Sequence, residues 1–176
     1  MPTLIIDSIE IPIESLLSFS QQYTDEGAID FKRTADGSGI VRELWTGKLS
    51  TQITGQGWVP GLDAFARGQS HTISCVTPRV VSATGTTITL PAARRNDTGH
   101  APFAHALVAG ELVATTITNL ADINAGTSDA ATLTAVSGAA GYRVTYWPKI
   151  VAAIRSQTHS GDQRADFTWT IEAEEV

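Results

Sequence analysis

The sequence predicts an all-β fold, a β-sandwich or small β-barrel with a second, small β domain inserted into it. Three observations lead there. Apolar residues return at every second position along much of the chain, glycine-bearing turns punctuate those runs, and the composition shifts across residues 79–147. A period of two is that of a strand with one wet and one dry face, and many short strands separated by turns suit a sandwich or barrel.

Ile9, Ile11 and Ile13 alternate with Glu10, Pro12 and Glu14 in the first such run. Next, Asp36-Gly37-Ser38-Gly39 joins Ile29–Phe31 to Ile40–Leu44, with glycine supplying the positive φ that tight hairpins need. Leu49, Thr51 and Ile53 continue the alternation, and Gly55 to Gly61 marks a stop and sharp turn around Trp58. Leu62–Arg67 before Gly68 has the form of one or two helical turns with a glycine stop. The turn residues Ala83–Thr86 precede a strand at Thr87–Leu90, and Ser137–Gly141 precede one at Tyr142–Tyr146. Lys149–Arg155 follows Pro148, which favours a helix start, but the surrounding alternation favours strand. Phe167, Trp169 and Ile171 oppose Thr168, Thr170 and Glu172 in the clearest half-buried strand.

Residues 79–147 hold 27 Ala plus Thr and 8 charged residues in 69 positions, against 19 and 22 in the other 107. Pro78 and Pro148 stand at the joints. The expected division is a main β domain of 1–78 plus 148–176 and an inserted Ala/Thr-rich β domain of 79–147. No internal repeat is evident.

The chain has 176 residues, 42% hydrophobic and 17% charged, enough for a real core and typical of a globular protein. No apolar run approaches the roughly 18–20 residues of a membrane span, and no basic region precedes the short apolar stretch at the N-terminus, so neither a span nor secretion from this end is expected. The net charge of −6 argues against nucleic acid as a partner, for which Arg94-Arg95 is too small a basic footprint. Cys75 is the single cysteine and excludes an internal disulfide; its alternating apolar setting reads as a small buried hydrophobe.

No catalytic set assembles from the sequence. Gly37-Ser38-Gly39 lacks the spacing of a nucleophile elbow and reads as a hairpin loop. His71, His100, His105 and His159 form no close pair of the kind zinc sites use. The carboxylates Asp25, Glu26, Asp30, Asp36, Glu172, Glu174 and Glu175 read as solvated charge. Asp122–Asp129 offers oxygens at alternate positions like a calcium loop, but lacks the acid at its fifth position, the glycine at its sixth and the bidentate glutamate at its twelfth. It reads as a polar loop. No cofactor, metal or catalytic residue is expected. The four tryptophans Trp45, Trp58, Trp147 and Trp169 are the interface candidates, as core or subunit-contact anchors; with Tyr142 and Tyr146 they could also be sugar-stacking platforms.

Several stretches carry a family resemblance. Ile5 to Pro12, Trp45–Thr51 running on to Gly57-Trp58-Val59-Pro60-Gly61-Leu62, Ser74–Arg79, Tyr142–Pro148 and Phe167–Glu175 resemble small tail-tip or baseplate proteins of tailed bacteriophages. The distal tail protein is the closest analogue, although this chain is short and has Ser8 where the first hairpin often shows glycine. The resemblance implies a β-sandwich or barrel, often with a second β module, forming a ring between tail tube and tip. It also implies a structural, non-enzymatic role in the virion after synthesis in the host cytoplasm, with other tail proteins and further copies of the chain as partners. The alternative is a carbohydrate- or host-receptor-binding module, and a third reading, a depolymerase fragment, would require a carboxylate pair that does not stand out.

Overall fold

The computed structural model describes residues 3–12, 18–57, 60–161 and 167–176. Its strands are β1 (Ile5–Ile6), β2 (Ile9–Glu10), β3 (Ser20–Arg33), β4 (Gly39–Gln56), β5 (Ser70–Ser74), β6 (Arg79–Ala83), β7 (Thr87–Thr89), β8 (Phe103–Val108) and β9 (Glu111–Thr115). A short helix, α1 (Leu120–Ala125), comes next, followed by β10 (Ala130–Thr132), β11 (Ala139–Tyr146), β12 (Lys149–Gly161) and β13 (Phe167–Glu175). The fold is all-β.

The chain divides into a unit of Ile6–Thr72 with Val151–Val176 and a unit of Ile73–Ile150 with Met1–Ile5. The joints therefore fall at 72/73 and 150/151, a few residues away from the two prolines. Backbone bonds explain the offset. Cys75 donates to the Pro148 carbonyl at 3.0 Å, Arg95 to that of Trp147 at 2.8 Å and Lys149 to that of Ala93 at 3.2 Å, so residues on both sides of each proline stay in the Ala/Thr-rich unit.

A seven-stranded sheet, ordered β2-β1-β5-β12-β13-β4-β3, forms the first unit's framework. Its end strands do not meet, so the sheet is open and the barrel form of the expectation is not realised. β13 lies antiparallel between β12 and β4, which buries Trp169, Ile171 and Ala173 on one face and leaves Thr168 and Glu172 on the other. On β4, Leu49, Thr51, Ile53 and Gly55 are buried in the same alternating way. Asp7 and Ser8 take φ values of 49° and 71° between β1 and β2, the two positive-φ positions of a type I′ turn. Asp7 tolerates this because its carboxylate accepts the Thr72 N–H at 2.7 Å and meets His71 Nδ1.

Two local expectations change here, and one ambiguous segment resolves to the favoured strand. β2 ends at Glu10 with Ile9 exposed and Ile11 buried beyond it, so the two isoleucines do not share a dry face; Ile13 lies outside the described residues. Leu62–Arg67 shortens to a 3-10 turn over Leu62–Ala64, with Gly68 at φ 76°. Lys149–Arg155 is strand, the first part of β12.

In the second unit, a four-stranded antiparallel sheet β6-β11-β8-β9 and the two-stranded ladder β10-β7 enclose one core. Ala104, Ala106, Tyr142, Val144 and Tyr146 face Ile88, Leu90, Ala131, Leu133 and the α1 residue Ile123. Ala83–Thr86 does not close a hairpin, because β6 and β7 belong to different sheets and the turn carries the chain from one to the other. The first half of the calcium-like string is helical. Gly126, at φ 72°, donates to the Ile123 carbonyl at 3.2 Å and Thr127 to that of Asp122 at 3.0 Å, a left-handed C-cap that ends α1.

Candidate functional site

The part of the first unit that its own core does not explain is the outer half of the β3–β4 hairpin. β13 pairs with β4 only over Ser50–Gln56, so from Gly39 to Leu49 the strand has β3 as its one sheet neighbour among the described residues. Over that span the burial pattern changes from alternating to fully exposed: every residue from Gly39 to Lys48 is exposed. At about 3.3 Å per residue, this ribbon reaches roughly 30 Å beyond the paired part of the sheet.

Its exposed apolar residues stand on both faces: Ile29, Phe31 and Val41 on one, with Glu43 opposite Ile29, and Ile40 and Leu44 on the other. Phe31 stands opposite Val41, with Ile29 two residues along, and the three are 62%, 61% and 67% exposed. The other face carries Asp30 opposite Arg42 and Lys32 opposite Ile40, with Lys32 and Asp30 paired at 3.0 Å. Phe31 also covers Gly39, where a Cβ would come within 3.1 Å of its ring. The tip is built for the turn: Gly37, at φ 85°, donates to the Thr34 carbonyl at 2.9 Å, and the Asp36 carboxylate accepts from the Thr34 hydroxyl and the Ser38 N–H. Those bonds hold the Asp36 pKa below its usual value, the Thr34 hydroxyl contributing most.

Two register shifts around Ala28 bend the ribbon at its root. Gly27 permits the close approach there, since a Cβ would lie 3.2 Å from the Trp45 carbonyl oxygen. The root is fastened by the chain's C-terminal end: Lys48 Nζ donates to the Val176 carbonyl at 2.9 Å and the Leu49 N–H to the Glu175 carboxylate at 3.0 Å. Ser50 donates to Glu26 at 2.8 Å beside them. A rigid base thus presents an apolar ribbon.

The tryptophans fall into different environments. Trp45 sits at the ribbon's root, 46% exposed, opposite Ala28. Trp169 is 1% exposed and is a core residue of its sheet, not a surface anchor. Trp147 is half-buried in the second unit, edge-on to His100 with centroids 5.4 Å apart and tilted against Phe103 at 5.9 Å. Trp58 lies outside the described residues. Tyr142 and Tyr146 are buried in the second unit's core, which removes them as sugar platforms.

The other residues singled out in the sequence serve the fold. Arg94 and Arg95, read as a basic doublet, are both buried. Arg94 donates to Asp129 at 2.6 Å and to the carbonyls of Pro91, Ile123 and Ser128, so the last acid of the calcium-like string is already engaged. Arg95 binds Asp97 through Nε at 2.8 Å and Nη2 at 2.6 Å, and its Nη1 reaches the carbonyls of Thr3, Ser74 and Cys75. The Arg95 hydrogen bonds bring the Asp97 carboxyl down to about 2 against the opposing effect of burial. His100, buried near both, is lowered by burial and by the Arg95 charge, although Asp97 acts the other way. The signal in the sequence was an acid two residues after the doublet.

His71 shows the opposite electrostatics. Its Nδ1 meets the Asp7 carboxylate and its Nε2 the Ala66 carbonyl at 2.9 Å; two acceptors favour the ring form with N–H donors at both nitrogens. Burial alone would lower its pKa, but the Ala66 and Asp7 contacts together raise it. Asp7 is lowered by His71 and Thr72 despite the raising effect of burial. His105 lies on β8 against Phe103, and His159 is exposed on β12. Among the described residues no group of three or more His, Cys, Asp or Glu could hold a metal ion, and no helix is long and apolar enough to cross a membrane. The chain matches no protein-family model, no curated protein and no solved structure.

Proposed function

We propose that the chain is a structural protein of a tailed-bacteriophage virion, a tail-tip or baseplate component of the distal-tail kind that assembles with itself and with neighbouring tail proteins. The observation that carries the assembly part is the outer β3–β4 ribbon, which exposes Ile29, Phe31 and Val41 together. Covering side chains of this size stabilises by about 1.5–3 kcal/mol each, and two strands alone cannot cover them. A contiguous apolar patch on a ribbon with a fastened root is the mark of a contact surface. The phage assignment rests on the sequence resemblance, and an open sheet whose edge strand needs a neighbour agrees with it.

Light scattering and negative-stain microscopy of the full chain, alone and with tail-tube and tail-tip proteins encoded beside it, test the proposal. The expected result is a closed oligomer or a stable complex, lost in a Phe31→Ser/Val41→Thr variant whose melting temperature is unchanged. A chain that stays monomeric at high concentration and binds no tail component would remove the proposal.

A further inference from the structure

The outward face of the second unit's four-stranded sheet contains a depression of about 400 Å³. Leu107 and Leu112, a cross-strand pair, form one wall, and Ser82 and Thr84 stand across from them. Gly141, opposite Leu107, opens the space between, where a Cβ would approach the Ala83 carbonyl at 3.3 Å. Arg143 follows two residues along the same strand, so it shares this face.

The polar groups there are unfinished. Arg143 Nε, at the depression, and His105 Nδ1, on the next strand and outside the lining, are buried and have no hydrogen-bond partner among the described residues. They are register neighbours across β8 and β11, and the other neighbour of Arg143 is Ser82, so no carboxylate stands opposite the guanidinium. The Arg143 side chain lines the depression with no carboxylate across from it, so its positive charge is available to a ligand there. The required ligand carries a negative acceptor for Arg143, groups that bond hydroxyls at Ser82 and Thr84, and an apolar face for the leucines.

An extended peptide laid over the β11 floor of the depression is a poor match. β11 is paired on both sides, so its backbone groups are already used and cannot hold another main chain. A compact ring with a carboxylate, several hydroxyls and a C–H face fits the volume and the donors. We propose that this depression binds a carboxylate-bearing sugar, a uronic or sialic acid, with its carboxylate on Arg143 and its C–H face on Leu107 and Leu112.

The inference does not rest on the proposed virion role, and either can fail alone. Amide-resolved NMR titration of the full chain with glucuronic acid and N-acetylneuraminic acid tests it, with glucose, the methyl ester of glucuronic acid and propionate as controls. Saturable shifts centred on residues 82–84, 107, 112 and 141–143 are expected at millimolar concentrations of the acidic sugars, with glucose and the ester weaker by about tenfold. Arg143→Gln should weaken the acids by about tenfold or more with an unchanged spectrum elsewhere. Leu112→Asp, at an exposed position on edge strand β9, should do the same by repulsion and serves where Arg143→Gln fails to fold. No shifts up to about 10 mM, equal binding of glucose, or unchanged binding in a folded variant would overturn the proposal. Equal binding of propionate would reduce the site to a carboxylate contact and overturn the sugar assignment.

Discussion

Replacing Arg95 by methionine preserves much of the side chain's volume but removes its five hydrogen bonds from a position 1% exposed. The losses differ in kind. Asp97 keeps 45% of its side-chain surface in solvent and can rehydrate. Its pKa, lowered from 3.8 to about 2, corresponds to roughly 2 kcal/mol without screening. With that exposure, about 1 kcal/mol is a better figure. The carbonyls of Thr3, Ser74 and Cys75 each lose a donor, at about 0.5–1.5 kcal/mol apiece. The sum is roughly 2.5–5.5 kcal/mol, which brackets the range of about 3–5 for removing one partner of a buried pair. Urea melts at neutral pH, followed by far-UV circular dichroism, measure it. The pH dependence supplies a second check. Asp97 is depressed in the folded state, so its contribution is full above 3.8 and is lost as pH falls towards about 2. The gap between wild type and variant should narrow over that interval. A loss below about 1 kcal/mol, or an Asp97 pKa still near 2 in the variant, would refute the reasoning.

The two buried histidines should give opposite pH slopes. His71 is raised, so it supports the fold fully below 6.5 and loses that support as pH rises through its folded value; His100 is lowered, so its support is full above 6.5 and is lost as pH falls through its folded value. In melts from about pH 5.5 to 7.5, His71→Gln should therefore leave stability rising with pH and His100→Gln leave it falling, whereas parallel curves for the two variants would contradict the assignment. Trp169→Ala should cost about 3–5 kcal/mol, because a fully buried indole leaves a cavity between β12 and β4, and a loss under about 1 kcal/mol in a chemical melt would place the ring elsewhere.

What the sequence made legible was mainly local. The alternation at Phe167–Ile171 and Leu49–Ile53 correctly separated dry from wet faces, because both strands lie inside a sheet with a covered side. The same alternation in Ile29, Phe31 and Val41 could not say whether anything covered the apolar face. Period two sorts side chains into faces, but the presence of a second layer is a tertiary fact. Charge misled in a similar way at Arg94-Arg95, where long-range acceptors at Asp129, Thr3 and Ser74 made burial possible. Helix α1 was missed because six residues show too little of a 3.6-residue period, although Gly126 offered a usable C-cap signal.

The distribution of buried polar bonds bears on how the ribbon should be understood. Arg94, Arg95 and His71 all fix backbone carbonyls within the bodies of the two units, and the apolar cores lie there too. The outer ribbon contributes none of its large apolar side chains to those cores, and its own polar bonds are local, at the tip turn and at the root. Folding of the body therefore places little constraint on which residues occupy Ile29, Phe31 and Val41. Threonine at these positions would keep the strand preference at lower exposure of apolar surface. Under the proposed assembly role, the exposed apolar groups of this ribbon, whose root is tied to Val176 and Glu175, would meet a partner surface. Shortening the hairpin by replacing Ala28–Trp45 with a two-residue Asn-Gly turn separates the two roles. The body should melt as before while assembly is lost, whereas a large fall in melting temperature would mean that the ribbon belongs to the fold itself.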